Sequence, residues 1–380
     1  MVKFRRLFLI TLVLMGLLLS SAVAIVGCGD TTTTTAATTV ATKDAATVIG
    51  DRALKVLASN PVAPDDYGAN AITGAKLAVK LDDPVQKDKI YLLDIRAKVD
   101  YDKGHIQGAN QVEFAQWAAL DNLSKLPKDK KIVVICYTGN TAAQAAEGLR
   151  MLGYDASILK AGMLGWNGAG KEATIADLDA AAGKDVTTPA GASTPAPAAE
   201  PLSKPSDDDY KVLAEQANKI MSTMPTGGSD YGNNTIKAAD LATKLAGADK
   251  DKLFVLDIRK TADFNMGHID GANHIDFAAL AIPDNLKMLP KDKKIIVVCY
   301  TGNTAAQANT VLRLLDYDAV VLKFGMMGWD GTGKESYIQA IQSANPPVVT
   351  SCEDTPVTEP PLFRGADEGR GPDVTDMSAR

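Results

Sequence analysis

Cysteine and histidine are scarce in this chain of 380 residues, which has four of the former and three of the latter. The cysteines stand at positions 28, 136, 299 and 352, too few and too scattered for a disulfide framework. No spacing among the cysteines and histidines matches a metal-binding motif. The sequence therefore predicts a protein with no metal site and no cofactor.

An excess of positive charge is also missing. Forty basic residues face 46 acidic ones, for a formal net charge of -6. This balance argues against nucleic acid as a partner and against electrostatic attraction to anionic membranes. The hydrophobic fraction of 46% is sufficient for buried cores, and the length suggests two or three domains. We leave the oligomeric state open.

The N-terminus has the charge layout of a secretory leader. Three basic side chains at positions 3, 5 and 6 precede an uncharged stretch over residues 7–27. Residues 25–28 resemble the lipobox of bacterial lipoproteins, in which cleavage before the cysteine leaves Cys28 to be acylated. The alternative is an uncleaved transmembrane anchor, because the apolar stretch is longer than an ordinary signal core. Both interpretations predict an extracytoplasmic protein anchored to a membrane, and the lipid anchor is favoured.

Composition divides the rest of the chain into ordered and disordered parts. Thr and Ala dominate the stretch after Cys28, Pro and Ala the middle of the chain, and Pro, Asp and Gly its end. The predicted division is a signal peptide at 1–27, a lipidated cysteine and Thr-rich tether at 28–46, a first domain at 47–182, a mobile linker at 183–209, a second domain at 210–342 and a disordered tail at 343–380, which contains Cys352.

The chain contains an internal duplication. The ten residues CYTGNTAAQA occur at 136–145 and again, unchanged, at 299–308. Around them, Asp94, Arg96, His105, Cys136 and Trp166 each recur 163 positions later in the same order. A repeat of this length is a whole domain rather than a solenoid unit.

Each repeat alternates strand-like and helix-like patterns. In the first, strands are predicted at 90–95, 132–136 and 156–159, and helices at 51–57, near 114–120 and beyond Thr141. Such alternation favours an α/β fold with a parallel sheet flanked by helices. The cysteine lies where a strand ends and a helix begins. A loop there can direct backbone N–H groups at the sulfur, and the helix N-terminus favours the nucleophilic thiolate.

These motifs, taken together, resemble the rhodanese superfamily of sulfurtransferases. The order is Asp94-Ile-Arg96, then Gly104-His105-Ile106 with Gly108-Ala109, then the cysteine loop, then residues 162–166, and all of it repeats in the second half. The resemblance implies two tandem rhodanese-like domains joined by the linker. It also implies sulfane sulfur transfer through cysteine persulfides, from a small donor to a thiol or another thiophilic acceptor.

The same resemblance implies the site residues. Cys136 and Cys299 are the expected nucleophiles. The expected cradle for the persulfide is made by the loop residues that follow them, with backbone N–H groups as the main donors: Tyr137, Thr138, Gly139, Asn140 and Thr141 in the first domain, and Tyr300, Thr301, Gly302, Asn303 and Thr304 in the second.

Two features depart from the relatives. Many single-domain members have Arg where Thr141 and Thr304 stand, so thiosulfate, polysulfide and an organic persulfide all remain candidate donors. Both domains keep the cysteine, whereas the familiar tandem enzymes keep it only in the second. The alternative is a non-catalytic tandem module that binds an anion, a sulfur carrier or a partner protein. A cysteine phosphatase is disfavoured, because the Arg that it needs six residues after the cysteine is Ala142 or Ala305.

Other polar and aromatic residues of the motifs have simpler interpretations. Asp94 and Arg96 are expected to form a structural ion pair, and His105 a hydrogen-bonded corner. Trp166 is expected in the core or in a pocket wall. We predict the same roles for their counterparts in the second repeat.

Overall fold

The computed structural model describes residues 43–59, 66–181, 183–188, 197–198, 202–225, 231–342 and 348. The predicted signal peptide, Cys28, most of the Thr-rich tether and Cys352 lie outside these ranges. Within them, no helix combines the length and the apolar character that crossing a membrane requires.

The first domain alternates strands and helices as predicted. Its elements are α1 (Ala45–Ala58), β1 (Ala71–Ile72), α2 (Gly74–Asp82), α3 (Pro84–Lys87), β2 (Ile90–Asp94), α4 (Lys98–Lys103), β3 (Asn110–Gln111), α5 (Leu120–Lys125), β4 (Lys131–Ile135), α6 (Asn140–Met151), β5 (Ala156–Leu159), α7 (Gly162–Asn167) and α8 (Lys171–Ala181).

The second domain repeats this series except at α3, where it has the 3₁₀ turn Lys250–Lys252. Its elements are α9 (Asp207–Ser222), β6 (Thr235–Ile236), α10 (Ala238–Ala246), β7 (Leu253–Asp257), α11 (Thr261–Met266), β8 (Asn273–His274), α12 (Pro283–Lys287), β9 (Lys294–Val298), α13 (Asn303–Leu314), β10 (Ala319–Leu322), α14 (Gly325–Trp329) and α15 (Lys334–Gln342).

Each domain contains one parallel sheet of five strands, in the order β1-β5-β4-β2-β3 and β6-β10-β9-β7-β8. The predicted tandem α/β fold is therefore confirmed. β4 lies at the centre of its sheet, where Val133 pairs with Leu92 on one side and with Ser157 on the other. Burial on both faces explains why β4 reads as a continuous aliphatic run.

Two helices differ from the prediction. The helix expected near 114–120 is a single 3₁₀ turn, Phe114–Gln116, because Ala119 adopts an extended backbone and α-helical hydrogen bonding begins only at Leu120. The helix expected at 51–57 extends over Ala45–Ala58. Asp44 caps its N-terminus by accepting a hydrogen bond from the backbone N–H of Thr47.

Part of the predicted mobile linker is held against the second domain. Thr187 and His268 exchange two backbone hydrogen bonds, and the Trp329 indole N–H donates to the Asp185 carbonyl. Near the other end of this segment, α9 begins at Asp207, inside the predicted linker. In the predicted disordered tail, Val348 packs against the first domain. Backbone hydrogen bonds can fix parts of a segment of low hydrophobicity, and the predicted bounds of the linker and the tail stay predictions.

The two domains exchange their last helices. On α8 of the first domain, Leu178 packs with Phe324 and Met327 of the second. On α15 of the second domain, Ile341 packs with Ala161 and Leu164 of the first. These two sets of residues are related by the 163-residue displacement of the repeat. Each domain is therefore completed by a helix of the other.

The domain interface also includes α6 and α13, which share one hydrophobic cluster. Buried polar side chains link them to the loops before β1 and β6. Asn234 donates to the Gln144 side chain at 3.0 Å, and Thr310 donates to the Gln144 carbonyl at 3.0 Å. Reciprocally, Asn70 donates to the Gln307 side chain at 3.2 Å. Such paired buried amides fix how the two domains dock.

Candidate functional site: two cysteine loops

Each cysteine lies in the loop between the end of a central strand and the start of a long helix. The backbone N–H of Gly139 donates to the Cys136 sulfur at 3.1 Å, and that of Gly302 donates to the Cys299 sulfur at 3.1 Å. Gly139 has a φ of 96° and caps the twelve-residue helix α6. This left-handed conformation suits glycine. It turns the amide back toward the sulfur, as expected from the sequence.

The turn into α7 supports the first loop through hydrogen bonds to its backbone. The Met163 N–H donates to the Cys136 carbonyl at 2.8 Å, and the Leu164 N–H to the Tyr137 carbonyl at 3.0 Å. Gly162 has a φ of 55°, and a β-carbon there would collide with the Cys136 carbonyl. Only glycine lets the chain pass so close to the loop. The second domain repeats these contacts through α14.

The tyrosine after each cysteine anchors the loop with its side chain. The Tyr137 hydroxyl donates to Asp100 at 2.7 Å and accepts from the Ala97 N–H at 3.3 Å. Burial, followed by the hydrogen bond to Asp100, raises the pKa of Tyr137. In the second domain, burial and then the bond to Asp263 raise the pKa of Tyr300 to about 12. Both phenols therefore stay protonated and hold the loop at neutral pH.

The asparagines of the two loops connect the loops to each other. Asn303 lies against Gly139, and Asn140 lies against Gly302. Gln144 also donates to the Asn140 side chain at 3.1 Å. The sequence assigned both asparagines to their own loops and did not predict that the two loops meet.

The threonines of the two loops keep some exposure to solvent. Thr138, Thr141, Thr301 and Thr304 are all partly exposed. Within the described part of the chain, their hydroxyls make no hydrogen bond. These groups are therefore available to a ligand, although their predicted role in binding one stays a prediction.

The charged motif residues have the structural roles that were predicted. Arg96 binds Asp94 through its Nε and Nη2 atoms, with the shortest distance 2.7 Å, and also donates to the Gly104 carbonyl. Both members of the ion pair are buried. His105 stacks on Tyr101 with ring centroids 3.8 Å apart. The equivalent residues of the second domain make the same contacts.

Both cysteines are free thiols and almost fully buried, at 2% exposure for Cys136 and 1% for Cys299. Over the described residues, no group of His, Cys, Asp and Glu is arranged to hold a metal ion. Each sulfur faces the backbone N–H of the glycine that precedes a helix.

Comparison with known proteins identifies similar domains. The family model of the rhodanese-like domain matches residues 77–169 and 238–332. A probable adenylyltransferase/sulfurtransferase, MoeZ of Mycobacterium tuberculosis, is 34% identical over 79 residues, which are 20% of this chain and 20% of that protein.

Two further relatives are smaller proteins. The putative sulfurtransferase YtwF of Bacillus subtilis is 30% identical over 99 residues, which cover 26% of this chain and 92% of that protein. The thiosulfate sulfurtransferase GlpE of Pseudomonas aeruginosa is 41% identical over 54 residues, which cover 14% of this chain and 47% of that protein.

Proposed function

The chain belongs to the rhodanese-like family, and from that membership we propose that it transfers sulfane sulfur through persulfides formed on Cys136 and Cys299. The observation that carries the proposal is the contact between each sulfur and the glycine N–H at the start of the following helix, present in both domains at 3.1 Å. The sulfurtransferase names of the relatives support the same reaction class.

The reaction proceeds in two steps. The cysteine thiolate attacks the outer sulfur of a donor such as thiosulfate, so that a new S–S bond forms while the bond to the sulfonate sulfur breaks and sulfite leaves with its electron pair. A nucleophilic acceptor, for example a thiolate, then attacks the terminal sulfur of the persulfide and releases the cysteine thiolate. The charge on the sulfur is stabilised by the loop N–H groups and the helix N-terminus in both steps.

The loops suit a sulfur donor better than a phosphate ester. Ala142 and Ala305 are fully buried at the position where a phosphatase needs its Arg. Neither loop contains a Lys or Arg, so an anionic donor would be held by backbone N–H groups and the threonine hydroxyls. Thiosulfate, polysulfide and an organic persulfide are all donors of the proposed class.

The test is sulfur transfer by the purified protein and by its cysteine variants. Thiosulfate is the donor, cyanide the acceptor, and thiocyanate the measured product. Intact-mass spectrometry after exposure to the donor should show one added sulfur atom on Cys136, on Cys299 or on both. The double variant Cys136→Ser, Cys299→Ser should lose both signals. Undiminished transfer by that variant would overturn the proposal.

A binding module is the second candidate function, and the burial of both thiols favours it. In that case the loops would hold an anion or a sulfur carrier without turnover. Slow alkylation of both cysteines at neutral pH, with no persulfide after exposure to thiosulfate or polysulfide, would select this alternative.

We further propose that the protein acts outside the cytoplasm, tethered to a membrane by acyl chains on Cys28. The support is the lipobox-like sequence at 25–28 and the basic residues before the apolar stretch. Labelling of cells with a fatty-acid analogue should mark the protein and not its Cys28→Ala variant. Equal labelling of both, or membrane retention of an unlabelled protein with an intact leader, would favour the transmembrane anchor.

A further inference from the structure

The surroundings of Cys136 include a helix of the second domain. Ile341 and Tyr337 of α15 pack with Ala161 and Leu164, in the turn that supports the Cys136 loop. Ala161 directly borders the loop, since a β-carbon on Gly139 would stand 3.2 Å from the Ala161 nitrogen. The exchanged helix therefore contributes side chains beside the first cysteine.

The two sites differ at two equivalent positions. The counterpart of Tyr337 on α8 is Thr174, and the counterpart of Ala161 is Phe324. Near Cys136 the large side chain is Tyr337, which belongs to the second domain. Near Cys299 it is Phe324, which belongs to the turn that supports the Cys299 loop. Bulk is similar in the two cases, but the polarity is not. Tyr337 brings a phenol hydroxyl near Cys136, whereas its counterpart Thr174 has a shorter hydroxyl and Phe324 has only a hydrocarbon ring.

The phenol of Tyr337 is oriented by neighbours on both sides. Its ring lies edge-on to Phe324, with centroids 6.4 Å apart, and packs with the apolar residues beside the Cys136 loop. Among the described residues, its hydroxyl has no hydrogen-bond partner. Burial, and then the proximity of Cys136, raise the pKa of Tyr337. The hydroxyl therefore remains a proton donor at neutral pH.

We propose that Tyr337 is a specificity-determining residue of the Cys136 site, where its hydroxyl donates a hydrogen bond to an anionic sulfur donor such as thiosulfate. At the Cys299 site the equivalent positions hold Phe324 in place of Ala161 and Thr174 in place of Tyr337, so the phenol is replaced by a shorter hydroxyl and thiosulfate binds more weakly. The inference rests on the proposed sulfur transfer. It adds that the two sites of one chain differ in their preferred donors and that the second domain sets the preference of the first.

The experiment uses the full chain in two backgrounds. Cys299→Ser leaves Cys136 as the one loop cysteine, and Cys136→Ser leaves Cys299. In the first background, Tyr337→Phe should raise the KM for thiosulfate about tenfold, the effect of one lost hydrogen bond to an anion, with kcat little changed. In the second background the same substitution should leave the KM unchanged.

Two controls separate binding from packing. The alkylation rate of Cys136 by iodoacetamide, a neutral reagent, should not change in Tyr337→Phe, because the ring that shapes the site is retained. Thr174→Val removes a hydroxyl from the equivalent position of α8 and should leave the KM at Cys136 unchanged. A parallel change in alkylation and KM would mean that Tyr337 only closes the site, and would overturn the inference.

The two proposals fail differently. If neither single-cysteine protein takes up sulfur, the proposed function fails and the inference with it. If both take up sulfur while Tyr337→Phe alters neither KM, or alters both equally, the sulfur transfer stands and only the role of Tyr337 is overturned.

Discussion

Asn303 of the second domain lies against Gly139 of the first, so closely that a β-carbon on Gly139 would stand 3.2 Å from the Asn303 Oδ1 atom. The reciprocal approach brings the Asn140 Nδ2 atom to 3.4 Å from the same point on Gly302. The glycine that donates to each sulfur thus also contacts the opposite loop. A substitution in one loop should therefore alter the geometry of the other loop.

Gly139→Ala should impair the Cys136 site. An alanine is strained at any position with a positive φ. At Gly139 its methyl group would in addition contact Asn303 and Ala161. We expect a loss of at least about tenfold in sulfur uptake at Cys136, measured in the Cys299→Ser background. Gly108→Ala is the matched control, since its φ is 80° and nothing lies within 4 Å of the new carbon. Equal activity of the two variants would contradict the prediction.

Gly148→Ala should destabilise the first domain. A β-carbon at this position of α6 would collide with the Trp117 ring, which is buried and cannot retreat without disturbing the core. The expected cost is about 1–3 kcal/mol in the free energy of unfolding, measured by denaturant titration. Gly50→Ala, in α1 with open space around the new carbon, should instead be neutral or stabilising by up to about 1 kcal/mol. A stabilised Gly148→Ala protein would show that Trp117 moves freely.

Arg150→Met should cost more than the loss of a surface ion pair. Glu147 is fully buried, and Arg150 donates to it at 2.8 Å while also bonding the Val56 carbonyl. Removing the arginine leaves the buried Glu147 carboxyl without its ion-pair partner and with Arg52 as its remaining positive neighbour, which costs up to about 3–5 kcal/mol in unfolding free energy. Lys287→Met breaks an exposed pair with Asp284 and should have no measurable effect. Similar unfolding midpoints for the two variants would refute this expectation.

Asp177 should make the domain interface sensitive to acid. It lies on α8 and pairs with Lys323 at 3.0 Å and with Lys237 at 3.3 Å, both in the second domain. Burial acts to raise the pKa of Asp177, but the two lysines outweigh it and hold the pKa below its usual 3.8. A lowered carboxyl pKa means that the stabilisation is present above the unfolded-state pKa and disappears as the pH falls through the folded-state value.

The corresponding measurement compares Asp177→Asn with the unchanged protein by thermal unfolding at several pH values. The variant should be less stable at pH 7, and the difference should shrink as the pH falls below about 4. Asp270→Asn, an exposed residue in the turn before β8, serves as the control. A difference between Asp177→Asn and the unchanged protein that is independent of pH would exclude the ion pairs as its origin.

The sequence predicted the fold and the cysteine loops because each depends on local patterns. The aliphatic run before Cys136 indicates a buried strand, and the alanines after Thr141 indicate a helix, so the loop between them is placed without long-range information. The motif that contains Asp94 and Arg96 likewise predicted the ion pair between them. Nothing in the sequence indicates that the backbone is extended at Ala119. The sequence therefore predicted one helix where the structure has a 3₁₀ turn followed by α5.

The exchange of helices could not be predicted in this way. Leu178 and Ile341 are apolar and buried, but the sequence does not say which domain buries each of them. The repeat reveals which residues are equivalent, not which ones touch. One of several differences between α8 and α15 is Tyr337 in place of Thr174, and its meaning depends on knowing that α15 lies beside Cys136.

The exchanged helices also have a consequence for how the protein responds to dilution. A chain with only one of these domains would need a second molecule to supply its missing helix, and assembly would then depend on concentration. Here duplication has placed donor and recipient on one polypeptide, so the missing piece is always at a high effective concentration. The proposed specific activity should consequently stay constant when the protein is diluted from micromolar to picomolar concentration.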